Sequence, residues 1–250
     1  MDRLIFTSLS GQKYIDQRVQ QISNEIANVS TTGFKKEFAA ATQTYRYDGD
    51  GFKSRFVPVV TSSKQVDLQD GPMQSTGRSL DIAISGNQLF AVLTDTGELA
   101  YTRRGDLTLG ADGVLRVGSG ERLASDANAP ISVPALTEIK IGPDGTVLGK
   151  QVGGEAVIFQ PLARIQVVDA DPEKVALRTD GLYGSSDGQP FPGAATPAVA
   201  SGALEGSNVS LFSAMVDMIS MSRRYEMQVK VLKQASDLAE RSQSLARVTQ

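Results

Sequence analysis

Toward the end of the chain, apolar or permissive residues recur at Leu211, Met215, Met218, Ser222, Tyr225, Val229 and Leu232, in alternating steps of four and three. That spacing is a heptad seam, which turns one narrow stripe of a helix toward a partner. No Pro or Gly interrupts Val209 to Gln250. Ser207 or Asn208 offers a short side-chain oxygen to the orphan N–H groups of the first turn. Arg224, Lys230, Lys233, Asp237, Glu240 and Arg241 occupy the other face. Near the start, Ile15, Val19, Ile22, Ile26 and Val29 repeat the same steps, and Leu4, Ser8 and Gly11 continue the stripe with mostly smaller residues. For one isolated helix, ordinary core packing explains such a stripe. A matching stripe at each end predicts an antiparallel or crossing pair that brings the termini together. At ~1.5 Å per residue the first helix would be about 40 Å long. The first helix is expected to stop at Asn28-Val29-Ser30-Thr31-Thr32-Gly33, residues that favour turns and caps.

From Thr76 the period changes to two. Leu80, Ile82 and Ile84 alternate with Asp81 and Ala83. Short apolar runs then flank the turn signals Asp95-Thr96-Gly97, Ala111-Asp112-Gly113 and Pro143-Asp144-Gly145, and Ala156 to Phe159 and Ile165 to Val168 complete the series. Evenly spaced short strands with such turns predict an antiparallel β domain. Gly181 to Gly202 is rich in Gly, Pro, Ala and Ser and reads as a return strand and linker. The predicted fold is therefore α+β: long N- and C-terminal helices forming a coiled-coil-like stalk, with an inserted, mainly antiparallel β domain. The expected division is a discontinuous helical domain of 1–35 with 205–250, an extended arm at 36–75, the β domain at 76–190 and a return linker at 191–204.

Composition narrows the chemistry. The 250 residues are 40% hydrophobic, enough for a packed core. A net charge of −3, with no basic stripe interleaved with aromatics, argues against nucleic acid as a partner. No run approaches ~18 apolar residues, so no membrane span is expected. Met1 to Phe6 lacks a basic segment leading into an apolar block, so no Sec-type signal is expected. Cys and His are absent, which removes disulfides, thiolate nucleophiles, Ser–His triads and the usual zinc ligand sets. Ser10-Gly11-Gln12-Lys13 has the S-x-x-K spacing of penicillin-binding proteins, but no S-D-N or K-T-G segment accompanies it. The 28 acidic residues include no recognisable glycosidase pair. A cell-wall-acting enzyme is thus the weaker alternative. Asp48-Gly49-Asp50-Gly51 lacks the ligand spacing of a calcium loop and reads as a turn. No catalytic residue, cofactor or metal site is expected.

Asn24-Glu25-Ile26-Ala27-Asn28-Val29-Ser30-Thr31-Thr32-Gly33-Phe34-Lys35 resembles the N-terminal signature of the flagellar basal-body rod and hook family, roughly N-[ND]-[LI]-A-N-x-x-T-x-G-[FY]-[KR]; Glu25 departs from it. Leu204-Glu205-Gly206-Ser207-Asn208-Val209 is similar to the family's L-E-x-S-N-V. Met218-Ile219 with Arg223, Tyr225, Glu226 and Lys230 resembles M-I-x-x-Q-R-x-Y-E-x-x-x-K, with Ser222 in place of Gln. Thr76-Gly77-Arg78 with Leu80-Asp81, and Tyr101-Thr102-Arg103 with Gly105, resemble its outer-domain segments. A pairing of Arg103 with Asp81 is conceivable, but surface placement is the default for both. The resemblance implies a structural subunit of the proximal rod, a hollow shaft that transmits torque; a distal-rod or hook-type member is the alternative. It further implies export through the flagellar type III apparatus, and other rod subunits, that apparatus and copies of itself as partners. The residues implied for an assembly interface are Ile15, Val19, Ile22, Asn24, Ile26, Asn28, Thr31, Gly33, Phe34, Lys35, Ser207, Asn208, Val209, Leu211, Met215, Met218, Arg223, Tyr225, Glu226, Val229, Lys230 and Leu232.

Overall fold

A computed structural model describes residues 2–37, 41–47, 55–61, 65–135, 137–151 and 158–248. The Asp48–Gly51 turn and the Ala156-Val157 start of a predicted strand lie outside the described residues, as does the side chain of Ser10. The chain divides into two compact units. One comprises Met1–Ala27, Ala39–Ser63 and Ser210–Gln250; the other comprises Asn28–Phe38 and Lys64–Val209.

The first unit holds helix α1 (Asp2–Ala27), helix α2 (Leu211–Val248) and an antiparallel hairpin of Ala41–Tyr47 with Arg55–Thr61. Gly11 sits against Gln228, while Arg18 meets Asp217 at 3.6 Å, so α1 and α2 run antiparallel. Ser210 caps α2: its hydroxyl accepts the Ser213 N–H at 3.5 Å and its carbonyl accepts the Ala214 N–H at 2.9 Å. Ser207 and Asn208, the expected caps, are engaged elsewhere. At the other end α1 closes at Ala27, two residues before the expected stripe ends, and Gly33 follows at φ 67°.

The expectation of long terminal helices forming a coiled-coil-like stalk is corrected. The described residues hold only these two helices, the first shorter than the second, beside a large β-sheet body. The predicted seam does not close. Met215, Tyr225 and Val229 are 46%, 41% and 44% exposed. Ala214 is buried, and Leu211, Met218, Met221, Gln228 and Leu232 are half-buried, so the packed face shares Leu211, Met218 and Leu232 with the predicted stripe but is rotated from its centre. An α-helix drifts ~20° per heptad against a 3.5-residue repeat, so a seven-residue pattern gives a continuous seam only if both helices supercoil. Here polar contacts, Arg18–Asp217 and Gly11–Gln228, interrupt the meeting face, and the hairpin also touches α1.

The second unit is built on an antiparallel sheet of eight strands, with Gln88–Leu93 and Leu99–Thr102 at its middle. Gln88–Leu93 is covered on both faces. Phe90 and Val92 join one core with Ile82, Leu107, Leu115 and Ile165; Leu89, Ala91 and Leu93 join another with Val66, Tyr101, Val168 and Phe191. Successive side chains of a strand point to opposite faces, so only a strand sandwiched on both sides can be apolar throughout. A three-stranded sheet (Thr137–Ile141, Thr146–Gln151, Gln160–Arg164) adjoins it. Two further pairs join Val199–Ser201 to Ile82–Ile84 and Ala203–Glu205 to Met73–Ser75.

One turn device recurs. Asp112, Asp144, Asp180 and Asp187 each precede a glycine with positive φ, at 74°, 82°, 82° and 72°. Each carboxylate accepts the N–H two residues on, at 3.0–3.2 Å. The aspartate mimics a backbone turn, and glycine supplies the left-handed conformation without steric cost. The Ser185 hydroxyl, the Gln189 N–H and the Lys174 ammonium together hold the exposed Asp187 carboxyl at about 2, well below the usual carboxylate range. Folding therefore draws stability from this group above its ordinary pKa and loses it as pH falls toward 2. Replacing Ser185 by Ala is expected to raise the Asp187 midpoint, read by carbon NMR titration. An unmoved midpoint would show that the hydroxyl is not the main cause.

Candidate functional site: a buried ion cluster and the outer face of α2

Strand Leu99–Thr102 runs through the interior and delivers Arg103 just beyond its end, 1% exposed. All five guanidinium donors are engaged. Nη1 donates to the carbonyls of Gly86 at 2.7 Å and Gln88 at 2.6 Å. Nε donates to Glu205 Oε2 at 2.6 Å, and Nη2 donates to Asp70 Oδ1 at 2.5 Å and Glu205 Oε1 at 3.3 Å. A planar fork of fixed donors suits such a set as no flexible ammonium can.

Glu205, 0% exposed, ends the strand Ala203–Glu205. Its Oε1 also accepts Lys35 Nζ at 2.7 Å and the Gly71 N–H at 2.9 Å, and its main-chain carbonyl accepts the Gly33 N–H at 2.8 Å. Lys35, equally buried, donates its ammonium to the Gln69 carbonyl at 2.6 Å and its backbone N–H to the Tyr183 hydroxyl at 3.2 Å. Burial pushes the Lys35 ammonium below its usual pKa, and the Glu205 hydrogen bond opposes that only in part. Burial raises the Tyr183 phenol in the same way. Two cations thus face two carboxylates, one of which, Asp70, is half exposed.

Beside this cluster the segments 33–36 and 205–208 are stapled side by side. The Asn208 N–H donates to the Phe34 carbonyl at 3.3 Å, the Lys36 N–H to Asn208 Oδ1 at 2.8 Å, and Asn208 Nδ2 to the Asp67 carbonyl at 2.8 Å. Ser207 Oγ accepts the Val209 N–H at 3.2 Å. Gly33 lies so close to the next layer that a Cβ would stand 2.5 Å from the carbonyl carbon of Arg103. The cluster joins segments far apart in the chain, and at its Asp70 edge it borders a shallow recess of about 300 Å³ lined by Asp67, Leu68, Gln69, Asp70, Gly86, Asn87 and Pro172.

The second feature is a surface. Phe212, Val216, Ile219, Met227, Val231 and Leu238 are exposed and share the side of α2 away from Ala214, Met218 and Met221. Arg223, Glu226, Lys230 and Asp237 are exposed on the same side, so the outer face of α2 sets large apolar side chains among charged ones.

The residues inferred from sequence divide accordingly. Gly33, Phe34, Lys35, Ser207 and Asn208 are brought together in the stapled region, with Thr31, Asn28 and Val209 half-buried nearby in sequence. Ile15 and Ile22 are buried in the first unit, and Val19, Ile26, Leu211, Met218 and Leu232 are half-buried there. Asn24, Met215, Arg223, Tyr225, Glu226, Val229 and Lys230 are exposed. Arg103 does not pair with Asp81, which instead accepts Arg78 Nη1 at 3.0 Å, and both Arg103 and Asp81 are buried rather than superficial. Sequence reasoning did not bring Arg103, Glu205 and Asp70 together. The available signal was that Glu205 and Arg103 lie inside the quoted motifs at the ends of short apolar strands.

Two family models match the chain: flagellar basal body rod FlgEFG protein C-terminal over residues 200–245, and flagellar hook protein FlgE/F/G D1 domain over residues 83–149. The flagellar basal-body rod protein FlgF of Escherichia coli strain K12 is 34% identical over 252 aligned residues, covering 98% of each chain. The chain belongs to the flagellar basal-body rod protein family. The FlgF of Salmonella typhimurium strain LT2 is 33% identical, with 93% of each chain covered. A flagellar basal-body rod protein named FlgG, from Bacillus subtilis strain 168, is 30% identical over 99% of this chain and 100% of its own. In this rod-family chain the C-terminal match takes in Glu205 and the whole outer face of α2, and the D1 match takes in Arg103. Both partners of the central ion pair therefore fall within family-matched segments, although the pair joins two different ones.

Proposed function

We propose that the protein is a structural subunit of the flagellar basal-body rod, in its proximal part, and that it acts by packing rather than by catalysis. The observation that carries this is the outer face of α2. Six large apolar side chains stand exposed on it, opposite the side that meets α1. Fully burying one such side chain contributes roughly 1.5–3 kcal/mol, so neighbouring subunits that cover this face gain a large apolar interface. Contacts that use different patches on the two partners and do not close generate a helical assembly. A shaft built this way carries torque through many such interfaces. The fairly short segment between Lys35 and Thr76 favours the proximal rod over the distal rod or hook. Location in the basal body, rod subunits as partners and delivery by the flagellar export apparatus belong to the same reading. Among the described residues no helix is long and apolar enough to cross a membrane.

Ile219→Asp tests it. Ile219 faces away from α1 and is mostly exposed, so the purified variant is expected to melt with the parent. A charge there must be desolvated in the assembly, so basal bodies are expected to be lost and swimming in soft agar abolished. Ile219→Leu is expected to swim. Normal swimming by the aspartate variant would overturn the assignment of this face.

A further inference from the structure

The two interior cations enter the chain early, and the carboxylate that neutralises both enters late. Lys35 and Arg103 precede Glu205 by 170 and 102 residues. Asp70, the other carboxylate present earlier, sits at the half-exposed edge of the cluster and bonds Arg103 through Nη2 alone. A chain without residue 205 in place would hold two cations in the interior against one peripheral anion. A buried lysine can shed its proton, but an arginine cannot, so the guanidinium would remain a trapped charge. The same late segment closes the Gly33 and Gly206 backbone bonds, at 2.8 and 2.9 Å, and the Gly71 bond to the carboxylate itself.

We propose that Glu205 is a chain-completion latch: the β body becomes cooperative only when the segment carrying this carboxylate docks between Lys35 and Arg103. A chain emerging from its N-terminus stays open until that segment is available, although every strand of the eight-stranded sheet precedes residue 186. The latch is independent of assembly, so the purified full-length monomer tests it without reference to the rod.

Pulse-labelled hydrogen exchange during refolding of the full chain is the experiment. The amides of Ala91, in the sheet, and Ala124, which donates to the Ala91 carbonyl, are expected to gain protection in the same phase as those of Gly33 and Gly71. Glu205→Gln is expected to slow that phase by about tenfold or more or to abolish it. Adding Lys35→Met to Glu205→Gln restores the balance of one cation to one anion and is expected to recover most of the rate. Three outcomes would overturn the latch. Sheet amides protected in an earlier phase would show that the body closes without Glu205. Refolding of Glu205→Gln within twofold of the parent would show that the charge is dispensable. Failure of Lys35→Met to rescue would assign the effect to hydrogen-bond shape instead of charge. If Glu205→Gln does not fold at all, the labelling order in the parent still decides.

Discussion

Arg103→Met is expected to leave the second unit without a stable fold near 37 °C. The substitution keeps the apolar stem and removes five donors at once. Glu205 would then keep only Lys35 and the Gly71 N–H as side-chain partners, and the carbonyls of Gly86 and Gln88 would lose their partner. Breaking one side of a buried ion cluster costs about 3–5 kcal/mol. Each carbonyl left unsatisfied adds about 1–3 kcal/mol. A domain is usually stable by only ~5–15 kcal/mol, so the sum approaches the whole. The cluster need not be a net stabiliser for this to hold, because desolvating four charged groups offsets most of their attraction. Its effect lies in making every alternative arrangement of these segments worse. Arg103→Lys should fail almost as badly, since an ammonium cannot span Glu205, Asp70 and two carbonyls. Circular dichroism melting of the purified variants is the measurement. A melting point for Arg103→Met within about 3 °C of the parent would mean that the cluster is peripheral to stability, since ~1 kcal/mol shifts a chain of this size by about 2–4 °C.

Gly33→Ala is expected to cost about 2–4 kcal/mol, from two sources that can be separated. The first is backbone strain, because Gly33 has φ 67°. The second is the approach to the main chain of Arg103, whose carbonyl oxygen would stand 2.6 Å from the new methyl group. Gly77 supplies the comparison. It has φ 70°, and no atom lies within 4 Å of the position its methyl group would take, so Gly77→Ala isolates the strain, worth ~1–2 kcal/mol. Chemical denaturation of both variants gives the difference. Equal losses at the two positions would remove the close packing of Gly33 from the account.

Much of the β body was legible because its signals are local. Asp112-Gly113 and Asp144-Gly145 announce hairpins through a carboxylate and a glycine whose roles are complete within four residues. The ion cluster was not legible. Arg103 and Glu205 lie 102 residues apart, and no local pattern reports a partner at that distance. By default each reads as a surface charge. The helical stripe failed differently. Met218 and Leu232 fit both the predicted seam and the half-buried face of α2, so spacing alone could not choose between them. Gln228, packed against Gly11, lies off the predicted stripe and on the real one. The outer stripe of Phe212, Val216 and Ile219 was visible as residues but had no place in a two-helix seam.

Within the second unit, the segments 33–36 and 205–208 share one anchorage. The bonds Gly33 to Glu205, Asn208 to Phe34 and Lys36 to Asn208 lie side by side between the same two segments. A single strand swivels about its own bonds and relaxes any rotation imposed on it. Two strands fastened together at their base cannot swivel separately, so a rotation applied to one loads the other. The hydrogen bonds between them then share the load in shear instead of opening one at a time. Within the second unit, that stretch of chain is held as a pair rather than as two independent ends.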